Sequence, residues 1–252
     1  MPVERNSLRI VCVGTGDAFG SGGRLNSCYH FNHSGEQVLL DCGCSSLIGM
    51  QRCDLDPADI SAVMVSHLHG DHFGGIPFLL LEAKYVSKRT RPLILAGPAG
   101  LQQRVETALE TLYPGTLDDG LAFPVEYRTL KSGEPLKIGR YTVTPRQVRH
   151  GRSPDVFGLR VEIGDKVVSY TGDTEWTEEL IPLAQASDLL IAECFAYDQP
   201  ISSHLDYLTL RRQRGELSCR RLVLTHPGPE ILARRDQLDF ELLNDGALLE
   251  LT

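Results

Sequence analysis

Short apolar, β-branched runs bounded by Gly, Asp or Ser recur along the whole chain and predict strands. They lie at Leu8–Val13, Gln37–Asp41, Ala62–Ser66 and Leu93–Ala96, then at Val125–Thr129, Tyr141–Val148 and Gly158–Ile163. Lys166–Thr171, Leu189–Ala192 and Leu222–Thr225 complete the series. Gly164-Asp165 joins two of these runs as a hairpin turn. Asn244-Asp245-Gly246, between Asp239–Leu243 and Ala247–Leu251, predicts a second, C-terminal hairpin. Helical periodicity is rarer. Ile76–Val86 carries it, and Ala99–Leu112 starts after Gly97-Pro98 and stops at Pro114. Thr177–Gln185 reads as a helix with Thr177 as its cap and acids in its first turn. His204–Arg214 reads as another, opened by His204 and ended by Gly215. Strands outnumber helices and both halves mix them. The pattern predicts one αβ domain over residues 1–252, with sheets covered by helices.

Composition narrows the class without naming a function. The chain has 252 residues, 42% hydrophobic and 23% charged, which excludes disordered, collagenous and coiled-coil proteins. No apolar run approaches the ~18 residues of a membrane span. Met1–Arg9 contain no apolar stretch of the kind a signal peptide needs. Seven cysteines form no Cys-x-x-Cys pair, and they predict free thiols in a reducing, cytoplasmic compartment. Cys42-x-Cys44 has poor spacing for a zinc knuckle, so both are expected to be small buried thiols. The net charge of −8 argues against a broad grip on long nucleic acid. It leaves room for an anionic substrate at a site whose local charge is opposite.

The eight histidines carry the chemistry. Ser66–His72 reads Ser-His-Leu-His-Gly-Asp-His and follows a strand, so His67, His69, Asp71 and His72 crowd onto one strand-to-helix loop. Alternate residues of an extended segment point the same way, so His67 and His69 can share one metal while Asp71 and His72 face a second. Imidazoles with a carboxylate suit a hydrolytic dinuclear site. Two ligands per metal is too few. Three strand-end residues are candidates for the rest: His150, Asp173 within Thr-Gly-Asp-Thr, and His226 within Leu-Thr-His-Pro.

This ordered set resembles the metallo-β-lactamase superfamily. Gly14-Thr15-Gly16 after the first strand and Leu-Leu-Asp-Cys-Gly at Leu39–Gly43 add to the likeness. The resemblance implies a four-layer α/β/β/α sandwich with a metal site at one edge of two facing sheets. It implies that His67, His69 and His150 hold one metal, that Asp71, His72 and His226 hold the second, that Asp173 bridges them and that Asp41 supports the site from behind. The C-terminal third is similar to the RNase Z-like phosphodiesterase branch. Glu193, in Leu-Ile-Ala-Glu-Cys-Phe, stands for that branch's acidic residue, although Ala192 and Cys194 depart from its pattern. The likeness implies that His204 is a general acid oriented by Glu193, and that the protein is a homodimer. tRNA-processing members carry a long arm between the ligands matching His150 and Asp173. Here residues 151–172, largely a predicted hairpin, leave no space for one. The expected substrate is therefore a small or cyclic phosphodiester or an RNA end, with no membrane partner.

The mechanism expected from this set uses two divalent ions, zinc most readily, with manganese or iron accepted by the same donors. They would lower the pKa of a shared water toward ~7, giving a bridging hydroxide. Asp71 would take the proton and aim the nucleophile, and His204 would protonate the leaving oxygen. Arg152 and Ser153, just past His150, are candidate substrate contacts. The glycine-rich stretch Gly14–Gly23 reads as a loop flanking the site. Two basic runs, one around Lys84, Lys88, Arg89 and Arg91 and one from Arg211 to Arg221, read as solvated faces. Two rival functions share the ligand set. One is a lactone or thioester hydrolase, which needs no separate protonated histidine. The other is a metal-holding sensor or interaction module.

Overall fold

The computed structural model describes residues 7–153, 155–199 and 201–252. The chain runs β1 (Leu8–Gly14), β2 (Cys28–His33), β3 (Glu36–Leu40), α1 (Ser46–Arg52), β4 (Ile60–Met64), α2 (Gly70–Phe73), α3 (Ile76–Tyr85), β5 (Leu93–Gly97), α4 (Leu101–Leu112) and β6 (Val125–Thr129). It continues through β7 (Leu136–Ile138), β8 (Tyr141–Gln147), β9 (Phe157–Ile163), β10 (Lys166–Tyr170), α5 (Leu180–Ala184), β11 (Ser187–Glu193), α6 (Tyr207–Gln213), β12 (Cys219–Thr225), α7 (Pro229–Ala233), β13 (Glu241–Leu242) and β14 (Leu248–Leu251).

Side-chain alternation along the strands decides the layers. In β1, Leu8, Ile10 and Cys12 join one apolar cluster while Val11 and Val13 join another. In β11, Leu189 and Ile191 point to the first cluster while Leu190 and Ala192 point to a third. Strands buried on both faces read as unbroken apolar runs, which is why the sequence shows so many. One sheet has the order β14-β1-β2-β3-β4-β5-β6 and the other β13-β12-β11-β10-β9-β8-β7. Their shared cluster includes Tyr29, Phe31 and Leu40 from the first sheet and Tyr141, Leu159 and Val161 from the second. Helices α3 and α4 pack outside the first sheet through Leu79, Leu80, Val105 and Leu109. Helices α5 and α6 pack outside the second through Leu183 and Leu210. The result is the expected α/β/β/α sandwich.

Several expectations are corrected. The C-terminal segment is no hairpin: β13 pairs parallel with β12 in the second sheet, whereas β14 pairs antiparallel with β1 in the first. The Asn-Asp-Gly turn crosses between sheets because the Asp245 carboxylate accepts from Thr15 N and Oγ1 and from Leu25 N. Helix α5 starts at Leu180, not Thr177, with Pro182 in its first turn, where a missing N–H costs nothing. His204 lies before α6 rather than opening it. Asp206 is the cap, accepting from Thr209 N, and a bridge between Ala196 and Asp206 keeps the preceding segment out of the helix. Cys44 is exposed while Cys42 is buried; all seven thiols are free. Arg89 is buried, not solvated, because its guanidinium donates to the carbonyls of Ala58, Arg91 and Pro92. The β9–β10 hairpin forms as expected, with Gly164 at φ 61°. Among the described residues no helix is long and apolar enough to cross a membrane.

Leu159→Ala, at the centre of the inter-sheet layer, is expected to lower unfolding free energy by about 2–5 kcal/mol in chemical denaturation. Leu112→Ala, on a half-exposed α4 position, should change it by less than about 0.5 kcal/mol.

Candidate metal centre

The strand ends deliver the titratable residues to one edge of the sandwich. Asp41 follows β3, His67–His72 follow β4, His150 follows β8, Asp173 follows β10, and His226 follows β12. His67, His69 and His150 form one group whose ligand atoms converge; Asp71, His72, Asp173 and His226 form a second. Asp173 lies between them. Its Oδ2 is 4.0 Å from His67 Nε2, 3.8 Å from His150 Nε2 and 3.4 Å from His226 Nε2, and its Oδ1 is 3.3 Å from His72 Nε2. Asp71 Oδ2 lies 3.4 Å from His72 Nε2 and 4.0 Å from His226 Nε2. His69 Nδ1 is 3.0 Å from His150 Nε2.

The far nitrogens explain why the near ones converge. His72 Nδ1 donates to Asp41 Oδ2 over 2.6 Å, and His150 Nδ1 donates to the Ser203 carbonyl over 2.7 Å. His67 Nδ1 is 3.1 Å from Ser66 Oγ, and His226 Nδ1 is 3.4 Å from Ser27 Oγ. Each Nε2 is thus left with its lone pair directed inward, the arrangement in which outer hydrogen bonds set the tautomer of metal-binding imidazoles. His67 Nε2, His72 Nε2 and Asp173 Oδ1 are buried without a hydrogen-bond partner. Unsatisfied buried polar atoms are rare, and three of them facing one another fit divalent ions as the missing partners.

Asp41 holds the arrangement from behind. It is fully buried and accepts from Ser66 N at 2.7 Å, Ser66 Oγ at 2.8 Å, Tyr170 OH at 2.9 Å and His72 Nδ1. Tyr170, Ser66 and Ser203 were not legible as site residues, because a tyrosine or serine at a strand end has no distinguishing spacing. Asp41 and His226 both take left-handed φ of 55°, unusual for residues with a side chain and often found at functional sites. Gly43 is needed for a close approach: a Cβ there would sit 2.2 Å from the Asp71 carbonyl oxygen. The Thr15 carbonyl of the glycine-rich stretch accepts from His226 N, so that stretch borders the cluster.

On the other side, His204 Nδ1 lies 3.0 Å and 3.3 Å from the two oxygens of the buried Glu193 carboxyl. Thr174 N donates to Glu193 Oε1 and holds it in place. The His204 ring stacks on His226 at 5.7 Å and sits edge-on to His150 at 4.7 Å between ring centroids. Ser153 lines a cleft beside His67 and His69; Arg152 is exposed and is not among the residues lining it.

The family described as Anti-Pycsar protein Apyc1 matches residues 8–242, a span that holds the whole cluster. The chain belongs to that family. A Ribonuclease Z of Methanosarcina acetivorans is 27% identical, over 87% of this chain and 87% of that protein. The probable metallo-hydrolase YhfI of Bacillus subtilis is 27% identical, over 87% of this chain and 86% of that protein. The crystal structure of YhfI, a metallo-β-lactamase fold protein, matches with a TM-score of 0.78 at 23% identity, over 98% of this chain and 100% of that one. The chain thus has a metallo-β-lactamase fold, is similar to a Ribonuclease Z and a probable metallo-hydrolase, and carries a His/Asp cluster able to hold metal.

Two outcomes follow for the metal-free protein. Burial opposes a charge on His72, but Asp173 and Asp41 outweigh it and hold the imidazole well above its ordinary range. A metal ion at this position must therefore compete with a proton. Zinc titration by calorimetry in buffers of different ionisation enthalpy should show proton release, and apparent affinity should rise with pH. Asp41→Asn is expected to weaken metal affinity about 10–100-fold, read by competition with a chromophoric chelator.

Proposed function

We propose that the protein is a metal-dependent phosphodiesterase for a small or cyclic phosphodiester or an RNA end. In this reading His67, His69 and His150 hold one ion, Asp71, His72 and His226 hold a second, and Asp173 bridges them. Residues 1–252 act as one hydrolase domain. Zinc suits three imidazoles with a carboxylate, and manganese or iron is accepted by the same donors. The bound ions supply a water made acidic enough to attack at neutral pH and positive charge for the phosphoryl oxygens.

The observation that carries the reading is the His204–Glu193 pair beside the cluster. Hydrolysis of a phosphodiester of an ordinary alcohol breaks one P–O bond and expels an alkoxide, which needs a proton. Burial pulls the His204 imidazole down, but the hydrogen bond and charge of Glu193 outweigh it and hold it up at about 9. Burial in turn pushes Glu193 up to about 8 against its bond to His204. The pair as a unit keeps a transferable proton through neutral pH. Glu193 is a positioning residue: Thr174 N–H and His204 fix its carboxyl, and it fixes the ring. In this reading Asp71, 3.4 Å from His72 and 4.0 Å from His226, accepts the proton from the attacking water. The Ribonuclease Z relative is by its designation a ribonuclease, which supports the phosphodiester bond as the target. A lactone or thioester hydrolase would leave the pair without work to do.

The metal-loaded protein should hydrolyse bis-p-nitrophenyl phosphate, and removal of metal should abolish turnover. No turnover at full metal occupancy would sink the reading. On a dinucleotide, whose leaving group is an unactivated sugar hydroxyl, His204→Ala should lower kcat about 10²–10⁴-fold. The donor is present below its pKa and lost above it, so the wild-type rate should fall as pH rises through about 9. His204→Ala should lose that alkaline limb.

A further inference from the structure

The His67 and His69 side of the cluster opens into a cleft of about 540 Å³, a size that holds a nucleotide-sized ligand. Its far wall is one face of α4. Gly100, Gln103, Arg104 and Thr107 follow the i, i+3, i+4, i+7 spacing of a single helix face. The opposite stripe, Leu101, Val105 and Leu109, is buried against the sheet, so the cleft face is fixed by the packing of the other.

The lining is donor-rich and contains no carboxylate: the Arg104 guanidinium, the Gln103 amide, and the Thr107 and Ser153 hydroxyls. The first turn of α4 begins at Gly100, with φ 85° and no side-chain cap, so its leading N–H groups also lack a side-chain acceptor. Ser153 Oγ accepts from Asp155 N, leaving its own proton to donate. Arg104 makes no ion pair or side-chain hydrogen bond among the described residues. Several other arginines are engaged, as with Arg24 on Thr15 and Asn244, Arg128 on Glu126, Arg160 on Glu162 and Arg221 on Glu241. On a chain of net charge −8, the exposed Arg104 faces a carboxylate-free cleft whose wall also includes the buried His67 and the exposed His69.

We propose that this cleft is a subsite for a second phosphate, one that is not hydrolysed, and that Arg104 is its specificity-determining residue. A guanidinium fork with hydroxyl and amide donors around it matches the three oxygens of a terminal phosphate. The preferred substrate class is then a phosphodiester that bears a further phosphate on its non-reacting portion. This rests on the cluster holding metal and engaging the reacting phosphate, as in the proposed function.

The test is a binding preference, so it does not depend on turnover. Adenosine 3′,5′-bisphosphate and adenosine 5′-monophosphate are titrated into the metal-loaded protein by calorimetry. The wild type is expected to bind the bisphosphate about 10–100-fold more tightly, the range of a charge-assisted hydrogen-bond set. Arg104→Ala and Arg104→Gln should remove most of that preference with an unchanged melting temperature, and Arg104→Lys should keep part of it. Arg52→Ala, an exposed arginine on α1, should keep it fully. A wild type without the preference, or an Arg104→Ala that retains it, overturns the proposal. Failure of the phosphodiesterase reading would appear separately, as absence of bis-p-nitrophenyl phosphate hydrolysis.

Discussion

A fully buried carboxyl group is costly unless donors meet its oxygens, and Asp41 gathers those donors from both sheets. Its own strand, β3, and Ser66 at the end of β4 belong to the first sheet; Tyr170 ends β10 of the second. The fourth donor is His72, in the short helix α2 at the end of the metal-binding motif. One group therefore sets the distance between the sheets at this edge and the tilt of a cluster imidazole. Sliding one sheet against the other would strip donors from a buried carboxyl group. The apposition of the sheets and the geometry of the cluster are for this reason one constraint rather than two.

The same economy places the other donors. Each sits just past the end of a strand whose side chains are locked between apolar layers, so its backbone inherits the rigidity of the sheet. The loops add fine adjustment: the left-handed conformations of Asp41 and His226 turn the chain sharply where it leaves the strand, and Gly43 lets the Asp71 backbone approach closely. Open α/β sheets favour binding at the carboxyl ends of their strands, and here two facing sheets present such ends to the same small volume.

Much of this was legible in the sequence, for identifiable reasons. Strands buried on both faces announce themselves as apolar runs, so β4, β11 and β12 stood out. β2, Cys-Tyr-His-Phe-Asn-His, did not, because its polar residues mask strand periodicity although most of them are buried. α1 was hidden by a glycine within seven residues. The metal-binding loop was the clearest chemical signal, since four such residues rarely crowd together by chance. The outer partners were invisible, because Ser66, Tyr170 and Ser203 gain meaning only from what lies opposite. The C-terminal hairpin failed for a similar reason. Asn-Asp-Gly carries a strong local turn preference, but Asp245 is drawn away by backbone and hydroxyl donors more than two hundred residues earlier in the chain. Arg104 belongs to no motif in the sequence, and only its place on the cleft wall draws attention to it.

The link between Asp245 and the loop at Thr15 and Leu25 also bears on the order in which the protein is made. That loop borders His226 through the Thr15 carbonyl, and β14 closes the free edge of β1. β1 therefore waits for β14, far later in the chain, before its edge is covered and its loop is pinned. Pairing over such separation is slow to form. A nascent chain stalled before Asp245 holds most of the apolar layers yet lacks the lock on the loop beside His226. Assembly of the cluster thus becomes a late event of synthesis.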